Sequence, residues 1–141
     1  MNKERIKIIA YWVTTILGPA SFVIGGFLHL THAEQPMSML SHLGYPQYFV
    51  NIIGFWKLAG AIAIVIPGFP RLKEWAYAGF FFLLTSAATS HVFKGDPFFA
   101  SGSVSSSAQI SSPLIFLVLV IASWALRPKN RKLSYEKNNS V

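Results

Sequence analysis

Lys57 is the one charged residue in an apolar run from Tyr48 to Ile66. A lysine about ten residues into such a run costs roughly 2.5–3.5 kcal/mol on membrane-insertion scales, so it requires a partner or a purpose. Gly54 and Ala61 fall on its helical face and leave it room against a neighbouring helix. A functional Lys57 handles a proton or binds an anion, whereas a structural one snorkels or hydrogen-bonds and only fixes packing; the sequence leaves both open. Three histidines and an acid join it. His29 and His32 are three residues apart, hence on one helical face near the end of the first apolar run; Glu34 follows, and His91 lies near the end of the third run. With helices of alternating direction, all four belong to one half of the molecule, and Lys57 reaches toward them. The expectation is one polar pocket of Lys57, His29, His32, His91 and Glu34. Its histidines admit three readings: rings resting at headgroup level, hydrogen-bonding groups for an organic ligand such as a quinone or lipid, or two ligands from different helices for metal or haem. No metal site and no cofactor is assigned.

Other chemistries are excluded by residue type. The chain has no cysteine, which removes thiol redox, disulfides and thiolate metal sites. It has five acidic residues, none expected inside a span, too few for a di-iron carboxylate centre. The serines from Ser103 to Ser107 lack a nucleophile-elbow glycine pattern and a histidine–acid relay. Asp96, after Lys94-Gly95, is expected to end the third helix and cap the turn, a structural role.

The elements that must position these residues are membrane spans. The 141-residue chain is 52% hydrophobic and 12% charged, too apolar for an ordinary soluble domain. Four stretches approach the length of about 20 apolar residues that crosses a bilayer: residues 8–30, 48–66, 75–93 and 110–126. The first contains Gly18-Pro19, and Ser112-Pro113 marks the start of the last. Backbone groups in lipid must be satisfied within each segment, so the expected fold is all-α, a transmembrane four-helix bundle. The tight turn at 67–74 makes its second and third helices antiparallel neighbours. Thr31 to Gln47, too apolar for water and too short to cross, predicts an interfacial or re-entrant helix over the mouth of the bundle. Gly95 to Gln109 reads as a flexible Ser/Gly-rich connection. The small-residue faces Ser21-xxx-Gly25, Ala59-xxx-Ala63 and Ser86-xxx-Ser90 read as packing surfaces.

The formal charge of +7 is an orientation signal. Ten of the twelve basic residues fall in residues 1–7, the 67–74 turn or the segment after the last span. The positive-inside rule then puts both termini in the cytoplasm, and nucleic acid is not expected as a partner. The chain divides into a cytoplasmic N-terminus (1–7), a transmembrane domain (8–126) and a basic tail (127–141) expected to be disordered and able to touch anionic lipid. The first run is read as an uncleaved helix rather than a signal peptide.

Three groups of residues in order, Leu43-Gly44-Tyr45-Pro46, Trp56-Lys57-Leu58-Ala59-Gly60 and Leu72-Lys73-Glu74-Trp75-Ala76-Tyr77-Ala78-Gly79, resemble the DoxX-like family, and Ser90-His91-Val92-Phe93-Lys94-Gly95-Asp96 extends the match. The resemblance covers about Tyr11 to Leu126 and implies a compact four-helix membrane bundle. Some relatives are similar to subunits of quinol- or sulfur-linked oxidoreductases, others are associated with membrane responses to oxidative stress, and many have no assigned reaction. The central branch tends to carry glutamate where this chain has Lys57, which places the sequence on the DoxX-like side branch and weakens any transfer of redox function.

The sequence therefore predicts a multi-pass protein of the cell membrane, a binding or accessory subunit that holds a quinone, lipid or small amphiphile in an outward-facing polar pocket. Its expected partners are the lipid bilayer, a quinone or redox partner protein, and a second copy of the chain. The alternatives are a small transporter or permease component with Lys57 as its coupling site, and an enzyme acting on a membrane-soluble substrate. Against these stand the lack of an inverted repeat and of an acid–base pair at hydrogen-bond spacing, although the Gly18-Pro19 break keeps transport open.

Overall fold

The computed structural model describes residues 2–99 and 109–133, and among them every regular element is helical. The first span is broken. Helix α1 (Lys3–Leu17) stops at Gly18, a 3-10 turn follows at Pro19–Ser21, and α2 (Phe22–Leu30) resumes the path. Pro19 can donate no backbone hydrogen bond, which ends α1. Only glycine fits ahead of it: a Cβ at Gly18 would lie 2.8 Å from the Thr14 carbonyl oxygen and 2.9 Å from the Leu119 Cβ.

Helix α3 (Glu34–Leu43) is the short helix expected between the first two spans. It ends at Gly44, which takes a left-handed conformation (φ 86°) and lets the Tyr45 N–H return to the Leu40 carbonyl. Helix α4 (Gln47–Val65) starts one residue before the expected position. Helix α5 (Pro70–Lys94) starts five residues before it, because Pro70 loses nothing at the first helical position, so the connection to α4 is shorter than residues 67–74. Helix α6 (Ser111–Leu126) closes the series, with Pro113 in its first turn. Of the expected Gly95 to Gln109 connection, residues 100–108 lie outside the described residues, as does the tail from 134 onward.

Three helical segments, Lys3–Leu30, Gln47–Val65 and Pro70–Lys94, are long and apolar enough to cross a membrane, and Ser111–Leu126 is a shorter apolar helix. Helix α2 packs on α4, α4 on α5, α5 on α6, and α6 on α1. At the centre Phe22 stacks on Phe80, with ring centroids 4.8 Å apart, among Ala61, Ile64, Leu84 and Val120. Polar groups are inside: Ser123 Oγ lies 2.7 Å from both Thr15 Oγ1 and Tyr77 OH, all buried. Large apolar side chains are outside, with Ile24, Phe82 and Val118 about two-thirds exposed. A chain that pairs hydroxyls between its helices and exposes so many large apolar side chains is built for an apolar solvent.

The tail does not begin as a disordered segment. Arg127 is buried, and a 3-10 turn at Lys129–Arg131 brings Arg131 Nη1 to the carbonyls of Ile64 (3.2 Å) and Val65 (3.1 Å). Lys73 is only 1% exposed and lies inside α5, where its Nζ donates to the carbonyls of Ala63 (2.9 Å), Ile64 (3.1 Å) and Ile66. The last turn of a helix leaves carbonyls without partners, and these two cations satisfy them for α4. Glu74 corrects the expectation that no acid lies within a span. It sits in the first turns of α5 and accepts from Arg127 Nη2 at 2.7 Å and Trp124 Nε1 at 3.0 Å.

Candidate functional site

At the opposite end, two glycines set the geometry. Helices α2 and α4 cross where Gly26 meets Gly54: a Cβ on Gly26 would fall 2.8 Å from the Gly54 carbonyl oxygen, and one on Gly54 would fall 2.7 Å from the His29 Cβ. Three residues along each helix from this crossing stand His29 and Lys57, so the close approach of the two backbones brings the side chains together. Lys57 Nζ is 3.4 Å from His29 Nε2. His29 Nδ1 is 2.7 Å from the Gly25 carbonyl, which can only accept, so Nδ1 carries the ring proton and Nε2 presents its lone pair to the lysine. The ammonium also lies 5.7 Å from the Phe22 ring centroid.

Two adjoining cavities beneath α3, the two lobes of the candidate site, share His29, Lys57 and Met39 in their linings. The larger lobe, about 360 Å³, is lined by Phe22, Ile24, Leu28 and Phe116 with Ser21 and Gln35. The smaller, about 120 Å³, reaches Tyr45, Ser86 and His91. Three of the five expected site residues, His29, Lys57 and His91, thus line one cavity.

The other two do not. His32 lies beyond the end of α2 in a left-handed conformation (φ 54°), which takes it off the helical face of His29, and its Nε2 is 2.7 Å from Asn51 Oδ1 on the exterior. The expected spacing held only for a helix continued past Leu30. Glu34 is exposed in the first turn of α3 and does not line the cavity.

Two residues that residue spacing did not bring into the pocket stand behind it. His91 is 2% exposed, and its Nδ1 donates to Asp96 Oδ2 at 2.6 Å; the other carboxylate oxygen accepts from Nε2 of His42 on α3 at 2.7 Å. Asp96 therefore does more than end the helix. Gly95 adopts φ 77°, the Asp96 N–H returns to the His91 carbonyl, and the reversal folds the carboxylate back over α5 and under α3. Burial pushes the Asp96 carboxyl up, but the hydrogen bonds from His91 and His42 outweigh it and hold the group below its ordinary value. The sequence signal was the histidine five residues before an Asp, with glycine at the turn between them. His42 carried no signal of its own. The described residues contain no group of three or more His, Cys, Asp or Glu placed to hold a metal ion.

An exterior of exposed aromatic and aliphatic side chains, three helical segments of spanning length and hydroxyls hydrogen-bonded between the helices define an integral membrane protein. Residues 13–123 match the model of the DoxX-like family, and the chain belongs to that family. No curated protein and no solved structure matches it.

Proposed function

We propose that the chain crosses the cell membrane four times as an antiparallel bundle, with both termini cytoplasmic, and serves as a binding or accessory subunit. It holds a quinone, lipid or small amphiphile in an outward-facing pocket and presents it to a membrane redox partner. The observation that carries this reading is the meeting of Lys57 and His29, with His91 in the lining of the smaller lobe, among mostly apolar side chains. A few convergent polar groups in an apolar cavity of this size are the usual makeup of a small-molecule site. The basic residues at the end where α1 begins and α6 finishes support the orientation. Helix α6, at 16 residues, reaches roughly 24 Å and makes the fourth crossing with Trp124 and Arg127 at its end.

The test is mass spectrometry and absorption spectroscopy of molecules that co-purify from the native membrane, with Lys57→Met beside the wild type. A quinone or defined amphiphile retained by the wild type and lost from the variant is the expected result. Equal retention by both proteins would remove Lys57 from the site, and no specific molecule in either would turn the search toward protein partners.

A second reading, a small transporter component, draws on the broken first span. The break at Gly18–Ser21 adjoins the cavity through Ser21, and interrupted helices are where transporters place their sites. Uptake or efflux that depends on Lys57 in proteoliposomes would favour it.

A further inference from the structure

We propose that the occupant of this cavity is a single-chain anionic amphiphile, a long-chain carboxylate whose headgroup pairs with Lys57 and whose alkyl chain fills the larger lobe; the inference rests on the pocket reading above.

Charge decides the headgroup. Among the described residues that line the two lobes, Lys57 is the sole Lys or Arg, and there is no Asp or Glu. Of the acids in the described chain, Glu74 pairs with Arg127 and Asp96 with two histidines, while exposed Glu34 and Glu4, in the first turn of α1, line neither lobe. Lys73, buried, and Lys57, half-buried, make the contrast plain. Lys73 donates to three backbone carbonyls, whereas Lys57 has one long contact, 3.4 Å to His29 Nε2, and the face of Phe22. An ammonium has three N–H donors, and an unpaired charge in an apolar setting is costly. A neutral quinone carbonyl would accept hydrogen bonds but leave the charge standing. A carboxylate neutralises it and takes more than one donor in a charge-assisted bond.

The shape of the cavity decides the tail. At about 360 Å³ the larger lobe is near the lower end of small-molecule cavities, about 300–1,000 Å³, which suits one alkyl chain. Ile24 is 67% exposed and Leu28 37%, so the lobe opens to the lateral face of the protein, where the end of a chain can continue into lipid. A phosphate monoester shares the headgroup chemistry, and the assay separates the two.

The experiment measures equilibrium binding of dodecanoate, dodecyl phosphate and dodecanol to the full chain in phosphatidylcholine nanodiscs at neutral pH. Saturable binding of dodecanoate is expected, with dodecanol weaker by at least about tenfold. Lys57→Met should abolish that preference, Lys57→Arg should keep it, and Leu28→Trp, which fills the lobe without touching the charge, should weaken both ligands. Should Lys57→Met fail to fold, the acid-to-alcohol ratio of the wild type and Lys57→Arg decides. Dodecanol bound as tightly as dodecanoate, or a folded Lys57→Met that keeps the preference, would overturn the proposal. Tighter binding of dodecyl phosphate would overturn the carboxylate assignment in favour of a phosphate. A co-purified neutral quinone that dodecanoate does not displace would sink this inference while the pocket stands; failure of every ligand, quinone included, would remove both.

Discussion

His42, Asp96 and His91 join three parts of the molecule with two hydrogen bonds, because the carboxylate has one oxygen for α3 and one for α5. The folded state holds the Asp96 carboxyl below its ordinary value of 3.8, despite the opposing effect of burial. The unfolded chain therefore binds this proton more readily, and stability rises with pH across the interval between the two values. The contribution is complete above about pH 4 and is lost as pH falls through the folded value. Asp96→Asn should cost about 1.5 kcal/mol at neutral pH, the low end for bonds to a charged group because His42 is 38% exposed. Thermal unfolding of both proteins across acidic pH checks this. The gap between them should narrow below about pH 4, and a gap independent of pH would show that the carboxylate charge is not what stabilises.

The crossing of α2 over α4 decides whether Lys57 and His29 can meet. Gly54→Ala places a methyl 2.7 Å from the His29 Cβ and 3.1 Å from the Gly26 carbonyl oxygen, and both obstacles belong to or adjoin the backbone. The helices must separate, at a cost of about 1–3 kcal/mol, and the variant should also lose ligand retention. Gly79→Ala is the control. Nothing lies within 4 Å of its Cβ position, and alanine in a helix interior is favoured over glycine by about 1 kcal/mol. Unfolding midpoints together with co-purified ligand distinguish the two, and equal behaviour would mean that the α2–α4 contact does not position the site.

At the scale of the whole molecule the two polar ends differ in chemistry. The end bearing the start of α1 and the finish of α6 gathers Lys73, Arg127 and Arg131 onto helix carbonyls and Glu74, whereas the α3 end holds His29, Lys57 and His91 along a cavity with Asp96 behind His91. The proposed orientation puts the cavity outside. Because the chain has no cysteine, Arg71→Cys and Lys94→Cys give single labelling sites on exposed residues at opposite ends. In intact cells a membrane-impermeant maleimide should label position 94 and spare position 71; the reverse pattern would invert the orientation.

Helical class and membrane character were legible in the residues because they depend on local runs of apolar side chains, which satisfy backbone groups within one segment. The small helix before α4 and the break at Gly18-Pro19 were legible for the same reason, each being set by a few neighbouring residues. His29 and Lys57 could be named as candidates from type and position, but their meeting depended on two glycines 28 residues apart in the chain. His32 and Glu34 shared the neighbourhood in sequence and lost it in space, since one residue with positive φ redirected the chain. Lys73 looked like an orientation charge in a turn, and only the packing of α5 on the end of α4 made it a partner for three carbonyls. Local composition determined what each segment is; contacts between segments distant in the chain decided which polar groups face one another, because those distances are set by side-chain packing across helices.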